Sequence, residues 1–276
     1  MKRFFSLFLA AALLFSFSAC KKKDPEPEPV SAVSEPEPDP EMDDTTVAAL
    51  LAVSLSSIKQ YYDENEDSIG WMKIPGTKTD NIVMLGKEKA YDGQSEADVN
   101  FYLHHDFDHN YSQAGELYID FRANVGPRST SNNLTVYGHH MANGTMLAGI
   151  DRYKNQSFAE KNPYITFNTL WTKHHFKVYA VFTVDLTTDY GNAFDYRQPE
   201  YKGEAFDTYV KEISDRRYYD TGEQITEDSV LISLSTCTYP TGNPATDDAR
   251  LVVVARMCTD EEEQKLASGE LKNADD

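Results

Sequence analysis

"SVLISLSTCTYP", residues 229–240, runs apolar and hydroxyl residues into a single cysteine and stops at a proline. A second run of the same kind, "RLVVVARMC" at 250–258, follows after the turn-rich stretch "TGNPATDDA". Runs rich in β-branched residues and bounded by Gly, Pro, Asn and Asp read as strands, and two such runs in succession read as antiparallel neighbours. Paired in that way, Cys237 ends the first strand, Cys258 ends the second, and Arg250, which opens the second, lies beside Cys237. The two cysteines then stand at opposite edges of the sheet, about 20 to 25 Å apart at the rise of a strand. That is far beyond the ~7 Å between alpha carbons that a disulfide spans. Cys237 is therefore expected as a free thiol at a strand tip, and Cys258 as a buried small residue.

Outward from this pair the chain keeps its strand character. "GELYIDF" at 115–121, "NLTVYGHH" at 133–140, "YITFN" at 164–168 and "FKVYAVFTVD" at 176–185 are short apolar runs punctuated by turn residues. Strands at these spacings predict a closed or nearly closed β-barrel. Tyr137, Phe121, Phe167 and Phe182 are expected in its core. Two segments break the pattern. Leu51, Leu55, Ile58 and Tyr62 recur at helical spacing behind an N-cap at Thr45 or Thr46, and Ala205, Phe206, Tyr209, Val210 and Ile213 share one face of a second helix. The second helix is inserted directly before the strand of Cys237, where insertions commonly shape a site.

The first twenty residues, "MKRFFSLFLAAALLFSFSAC", place Lys2 and Arg3 before an apolar run that closes on small residues. Residues 1–19 read as a signal peptide, and the run is shorter than the roughly 18 residues of a spanning helix. The "FSAC" ending resembles a bacterial lipobox, which implies lipidation of Cys20. An ordinary secretory cleavage and a short uncleaved anchor are the other readings. Residues 20–44 contain "DPEPEPVSAVSEPEPDPEMDD", an alternation of proline and acid that cannot build a core. At about 3.1 Å per residue such a tether holds a domain some 50 to 60 Å from its anchor. A single globular domain is expected over 45–259, with an acidic tail at 260–276, on the extracellular face of a membrane. The net charge of −19 argues against nucleic acid or an anionic membrane surface as partner.

A cysteine at a strand end gains meaning only from neighbours that favour thiolate over thiol, since a free thiol titrates near 8.5. The chain supplies Arg250 and the pair His139 and His140 in "YGHHM". "LSTC" at 234–237, the arginine of "DARLVVVAR", and "TVYGHHMANGTM" at 135–146 together resemble the class B sortases. The resemblance extends to "DSIGWMKIPGT" at 67–77, to "FYLHHDFDHNYSQAGELYIDFR" at 101–122 and to the inserted helix near 202–216. It thus covers nearly the whole domain, in the family's order and spacing. It implies an eight-stranded sortase-like barrel, mostly β with added helices. It also implies a cysteine transpeptidase, with Cys237 as nucleophile, His139 as proton shuttle and Arg250 holding substrate or the oxyanion.

The implied partners are surface proteins bearing a C-terminal sorting signal of the Asn-Pro-x-Thr type. The implied acceptor is an amine of a peptidoglycan precursor or of another protein. No cofactor and no metal are implied. Ser235 and Thr236, next to the nucleophile, are candidates for lining the substrate cleft, although plain strand packing would place them equally well. Ser233 stands where the family pattern has threonine, and Thr238 where some members carry an acid. The lipobox-like ending is also a departure, because sortases are more often held by an uncleaved helix. "HHDFDHN", residues 104–110, fits no zinc spacing and is read as structural. His174 and His175 are read as a solvated turn.

Three competing functions use the same residues differently. A plain cysteine protease would resolve the thioester with water, and a display lipoprotein would keep the barrel without turnover. A thiol redox lipoprotein is disfavoured by the absence of any Cys-x-x-Cys.

Overall fold

The computed structural model describes residues 56–87, 98–126, 130–186, 194–243 and 247–276. The expected signal peptide, Cys20, the acidic linker and the helical positions Leu51 and Leu55 lie outside the described residues. The elements in chain order are α1 (Ser56–Glu64), β1 (Ser68–Lys73), β2 (Asp80–Leu85), β3 (Leu117–Ile119), β4 (Asn133–Tyr137), α2 (Gln156–Lys161), β5 (Tyr164–Thr169), β6 (Lys173–Asp185), α3 (Glu204–Arg216), β7 (Leu231–Thr238), β8 (Ala249–Met257) and α4 (Asp260–Ser268). Two 3-10 segments, Phe101–Leu103 and Ala148–Lys154, flank the site described below.

The eight strands close a barrel in the order β1-β2-β3-β4-β7-β8-β6-β5. Strands β7 and β8 are antiparallel with Cys237 opposite Arg250, the pairing expected from the sequence. Strand β4 instead pairs β7 in parallel, from Asn133↔Leu231 to Tyr137↔Ser235. This makes β7 a central strand and explains its composition. Ile232 and Leu234 join Leu251, Val253 and Ala255 inside the barrel, while Leu231, Val252 and Val254 pack outward against Tyr209 and Ile213 of α3. Strands covered on both faces read as continuous apolar runs instead of alternating ones.

Helix α3 stands between β6 and β7 in the chain, as the pattern predicts, with Tyr209 and Ile213 buried and Ala205 exposed. Ile58 buries the inner face of α1. His174 and His175 lie within β6 and not in a turn. The reversal comes earlier because the Thr169 hydroxyl accepts from the Thr172 backbone N–H at 3.1 Å and closes it there. His175 is further held by Glu263 at 2.8 Å. Of the segment expected as an acidic tail, Asp260–Ser268 forms α4, whose first turn carries a capping box between Thr259 and Glu262. Beyond it the Asn273 side chain accepts from the Tyr164 backbone N–H at 2.9 Å, and Asp275 accepts from Asn162 at 2.9 Å. Among the described residues no helix is long and apolar enough to cross a membrane.

Candidate active site

The parallel register of β4 and β7 decides where the reactive residues meet. Tyr137 pairs with Ser235, and two residues further along each chain come His139 and Cys237. Arg250 faces Cys237 from the other side, across β8. All three line one open cavity of about 700 Å³, together with Leu103, Tyr118, Asp120, Tyr137, Tyr196 and Asp248 among others. Cys237 is half-buried and unbridged, and Cys258 is buried with its thiol pushed up to about 12 by burial. A thiol so raised stays protonated and inert at neutral pH.

His139 is oriented from outside its own strand. Its Nε2 lies 2.9 Å from the Leu103 carbonyl oxygen. A carbonyl only accepts, so Nε2 carries the proton and Nδ1 is the open nitrogen of the neutral ring. Burial lowers the His139 pKa, the Leu103 carbonyl opposes that, and the neighbouring His104, with ring centroids 5.5 Å apart, lowers it further. A histidine so depressed is neutral at pH 7 and, once protonated, is the stronger acid toward a departing amine. Among the described residues no hydrogen bond joins His139 to Cys237, a looseness common where substrate completes the geometry. His140 turns away to Asp151, 2.7 Å distant, and its ring meets that of Tyr239. His139 is thus the histidine of this cavity.

Gly138 explains its own place in "YGHH". A Cβ there would come within 2.5 Å of Leu117 Cδ2 and 3.0 Å of Leu147 Cγ, both on fully buried side chains. Only glycine lets the chain leave β4 at this point and deliver His139. Arg250 keeps its guanidinium at the cavity with Nη1 donating to Asp248 at 3.2 Å and to the Ala249 carbonyl at 3.1 Å. Its remaining donors are those that can meet a developing oxyanion.

Ser235 and Thr236 also line the cavity, but their hydroxyls face the protein. Ser235 Oγ is 2.8 Å from Tyr196 Oη, and Thr236 donates to the Gly138 carbonyl at 2.7 Å. The far wall holds a set that sequence reasoning missed. Arg122 grips Asp120 through Nε and Nη2, each at 2.8 Å, and Tyr137 donates to the same carboxylate at 2.7 Å. Burial would raise the Asp120 carboxyl, but these bonds outweigh it and hold it below the usual range. Tyr137 and Phe121, expected in the core, are half-buried at the cavity because the barrel ends there. Asp120 and Arg122 are brought together by the turn that follows β3, where the Arg122 backbone N–H also donates to Asp120 Oδ1 at 3.0 Å. An Asp-x-Arg at a strand end, with Asp as a turn former, is the signal that could have found this wall.

The histidines of "HHDFDHN" are divided between roles. His105 stacks on Phe101 with centroids 3.9 Å apart, and His109 Nε2 meets the Tyr102 hydroxyl at 3.0 Å, both structural contacts. His104 instead turns toward the catalytic side. Among the described residues no group of three or more His, Cys, Asp or Glu is arranged to hold a metal.

Comparison with known proteins gives one consistent result. The sortase domain family matches residues 72–258. Sortase B of Staphylococcus aureus is 27% identical over 198 residues, which are 70% of this chain and 71% of that protein. Sortase B of Listeria monocytogenes is 26% identical over 174 residues, 63% of each chain, so the match spans slightly less than two thirds of that relative. The X-ray structure of Clostridium perfringens sortase B superposes with a TM-score of 0.59 at 29% identity, covering 73% of this chain and 99% of the other.

Proposed function

The chain belongs to the sortase family, is a class B sortase and a cysteine transpeptidase, and from that premise we propose that it cleaves sorting signals of the Asn-Pro-x-Thr type after threonine. It passes the acyl group to an amine of a peptidoglycan precursor or of another protein. The observation that carries the reading is the convergence of Cys237, His139 and Arg250 on one open cavity.

The chemistry follows from the groups present. Neutral His139 takes the Cys237 thiol proton on Nδ1, the resulting thiolate attacks the threonine carbonyl carbon, and the carbonyl electron pair moves onto oxygen, where the Arg250 guanidinium meets the new charge. Collapse of this intermediate breaks the carbon–nitrogen bond. The departing nitrogen takes a proton from Nδ1 of the His139 imidazolium, leaving a thioester on Cys237. An incoming amine then attacks the thioester, gives a proton to neutral His139, and expels the thiolate. The Leu103 carbonyl keeps Nδ1 as the working nitrogen through both halves. Ser235 and Thr236 contribute wall to the cleft, with hydroxyls already committed to Tyr196 and Gly138.

On this reading the domain works at the outer face of the cell membrane, held by lipid on Cys20 through the acidic linker. Two or more acyl chains anchor stably where one does not. Radiolabelled fatty acid incorporated into the wild-type chain and absent from Cys20→Ser tests the anchor; labelling of both, or neither, overturns it.

The reaction is tested by incubating the full chain with fluorogenic Asn-Pro-x-Thr and Leu-Pro-x-Thr-Gly peptides, with and without amine acceptors, under mass spectrometry. Cleavage after threonine with an acyl mass on Cys237, lost in Cys237→Ala, is the expected result. No cleavage and no adduct on any peptide sinks the proposal.

A further inference from the structure

The residues that precede the two reactive groups are joined directly, Thr236 to Gly138. The residues that follow them are joined as well, through two side chains outside the cavity. His140 Nε2 donates to Asp151 Oδ2 at 2.7 Å, Lys154 Nζ lies 2.8 Å from Asp151 Oδ1, and the same Nζ donates to Thr238 Oγ1 at 2.7 Å. The path from His140 to Thr238 is therefore continuous. It encloses His139 and Cys237 in a ring of contacts, one side made by a main-chain carbonyl and the other by Asp151 and Lys154.

Both side chains rise from the 3-10 segment Ala148–Lys154. At three residues per turn, positions i and i+3 eclipse, which puts Asp151 and Lys154 on one side. The base is firm. Ile150 and Tyr153 are fully buried, the Tyr219 hydroxyl donates to the Tyr153 carbonyl at 2.6 Å, and the Tyr153 hydroxyl donates to the Asn162 carbonyl at 2.9 Å. Thr238 is itself buried. The Tyr239 ring packs against His140 at 5.8 Å between centroids and so closes the same corner.

We propose that Asp151 and Lys154 are positioning residues, a brace that fixes the separation of His139 and Cys237 by holding the residue after each. Neither lines the substrate cavity, so the brace acts on the rate of the chemical steps and leaves peptide binding alone. A misplacement of about 1 Å between reacting groups costs on the order of 100-fold in rate.

A purely electrostatic role makes a different prediction. Asp151→Ala leaves the Lys154 cation uncompensated near Cys237, whereas Lys154→Met leaves the Asp151 anion. An effect through charge alone would move thiolate reactivity in opposite directions in the two variants. Loss of a brace moves both the same way, and the double variant does no worse than the poorer single, because the two residues are links of one path.

The test uses the full chain, Asp151→Ala, Lys154→Met, the double variant and the conservative Lys154→Arg. Hydrogen exchange without substrate is the first arm. Residues 139–147 and 237–240 are expected to exchange at least about 10-fold faster in each single variant, with β6 and β8 unchanged. Steady-state kinetics is the second, and only this arm rests on the transpeptidase reading. Here kcat falls about 10-fold or more in both singles, KM stays within about 2-fold, and Lys154→Arg recovers most of the loss. Unchanged exchange in either segment, opposite changes in the two singles, or a loss confined to KM overturns the brace. A wild-type chain that forms no acyl adduct overturns the transpeptidase reading instead, and the exchange arm then decides the brace alone.

Discussion

Gly115 stands where a Cβ would come within 2.4 Å of the Leu103 carbonyl oxygen, with its own φ at +56°. The carbonyl it spares is the one that fixes the His139 tautomer. Any side chain at 115 is strained in the left-handed region and also pushes on backbone that cannot step aside. Gly115→Ala is therefore expected to lower kcat by about 10-fold or more, and to change the His139 imidazole ¹⁵N shifts. A variant with wild-type kinetics and unchanged shifts would show that Leu103 does not set the ring.

The His139 pKa gives a second expectation. Burial and His104 together hold it below the usual 6.5. A histidine NMR titration should place its midpoint below that value, and His104→Gln should move it upward by removing the neighbouring imidazole. A midpoint at or above 6.5 in the wild type contradicts the geometry given for this ring.

Arg250 offers a separation of rate from stability. Among the described residues its hydrogen-bond partners are an exposed carboxylate and a neighbouring carbonyl, so truncation leaves no buried group stranded. Arg250→Ala is expected to lower kcat by about 10²- to 10³-fold, the usual effect of deleting an oxyanion donor, and to leave the melting temperature within about 2 °C. Equal losses in activity and melting temperature would reassign Arg250 to folding.

Asp120 behaves in the opposite way. It is buried and holds both Arg122 and Tyr137. Asp120→Ala leaves a partly buried guanidinium and a phenol without their acceptor, for a loss of about 2 to 4 kcal/mol. Tyr137→Phe removes one bond to a charged group and costs about 1.5 to 3 kcal/mol. Urea unfolding of the two variants measures both, and an Asp120→Ala cost no larger than that of a surface substitution would refute the role given to the network.

Glu262 links stability to acid. The Arg256 guanidinium, assisted by the Thr259 backbone N–H, lowers its carboxyl to about 2 from the ordinary 4.5. Since the folded pKa is the lower one, the unfolded chain binds the proton first. The stabilisation is complete above about pH 4.5 and disappears as pH falls toward 2. Thermal melts of wild type and Glu262→Gln should converge across that window. Curves that stay parallel would remove Glu262 from the account.

Much of the chemistry was legible because it sits in two adjacent strands. The β7–β8 pair, and with it Cys237 opposite Arg250, follows from two β-branched runs and a turn. His139 was distinguished from His140 by motif resemblance, and the structure supplies the reason in Asp151, which draws His140 aside. The parallel pairing of β4 with β7 left no local trace, because neither strand carries a mark of its partner. The Leu103 carbonyl was equally silent, since main-chain acceptors have no letter in a sequence. His174 and His175 were misplaced for a comparable reason: the Thr169 hydroxyl, not the histidines, chose where the chain turns. The brace residues Asp151 and Lys154 belong to no motif in the sequence, and only the 3-10 segment sets them side by side.

The β4–β7 pairing has a consequence for how the molecule acquires activity. It joins residues 98 positions apart, and the thiol and imidazole meet only through it. Long-range pairings form late and slowly, because the intervening chain must first be closed into a loop. The β1–β2 and β7–β8 hairpins can assemble while the two reactive groups are still strangers. During renaturation from denaturant, far-ultraviolet dichroism should therefore recover ahead of turnover, and the lag between them times the meeting of β4 with β7.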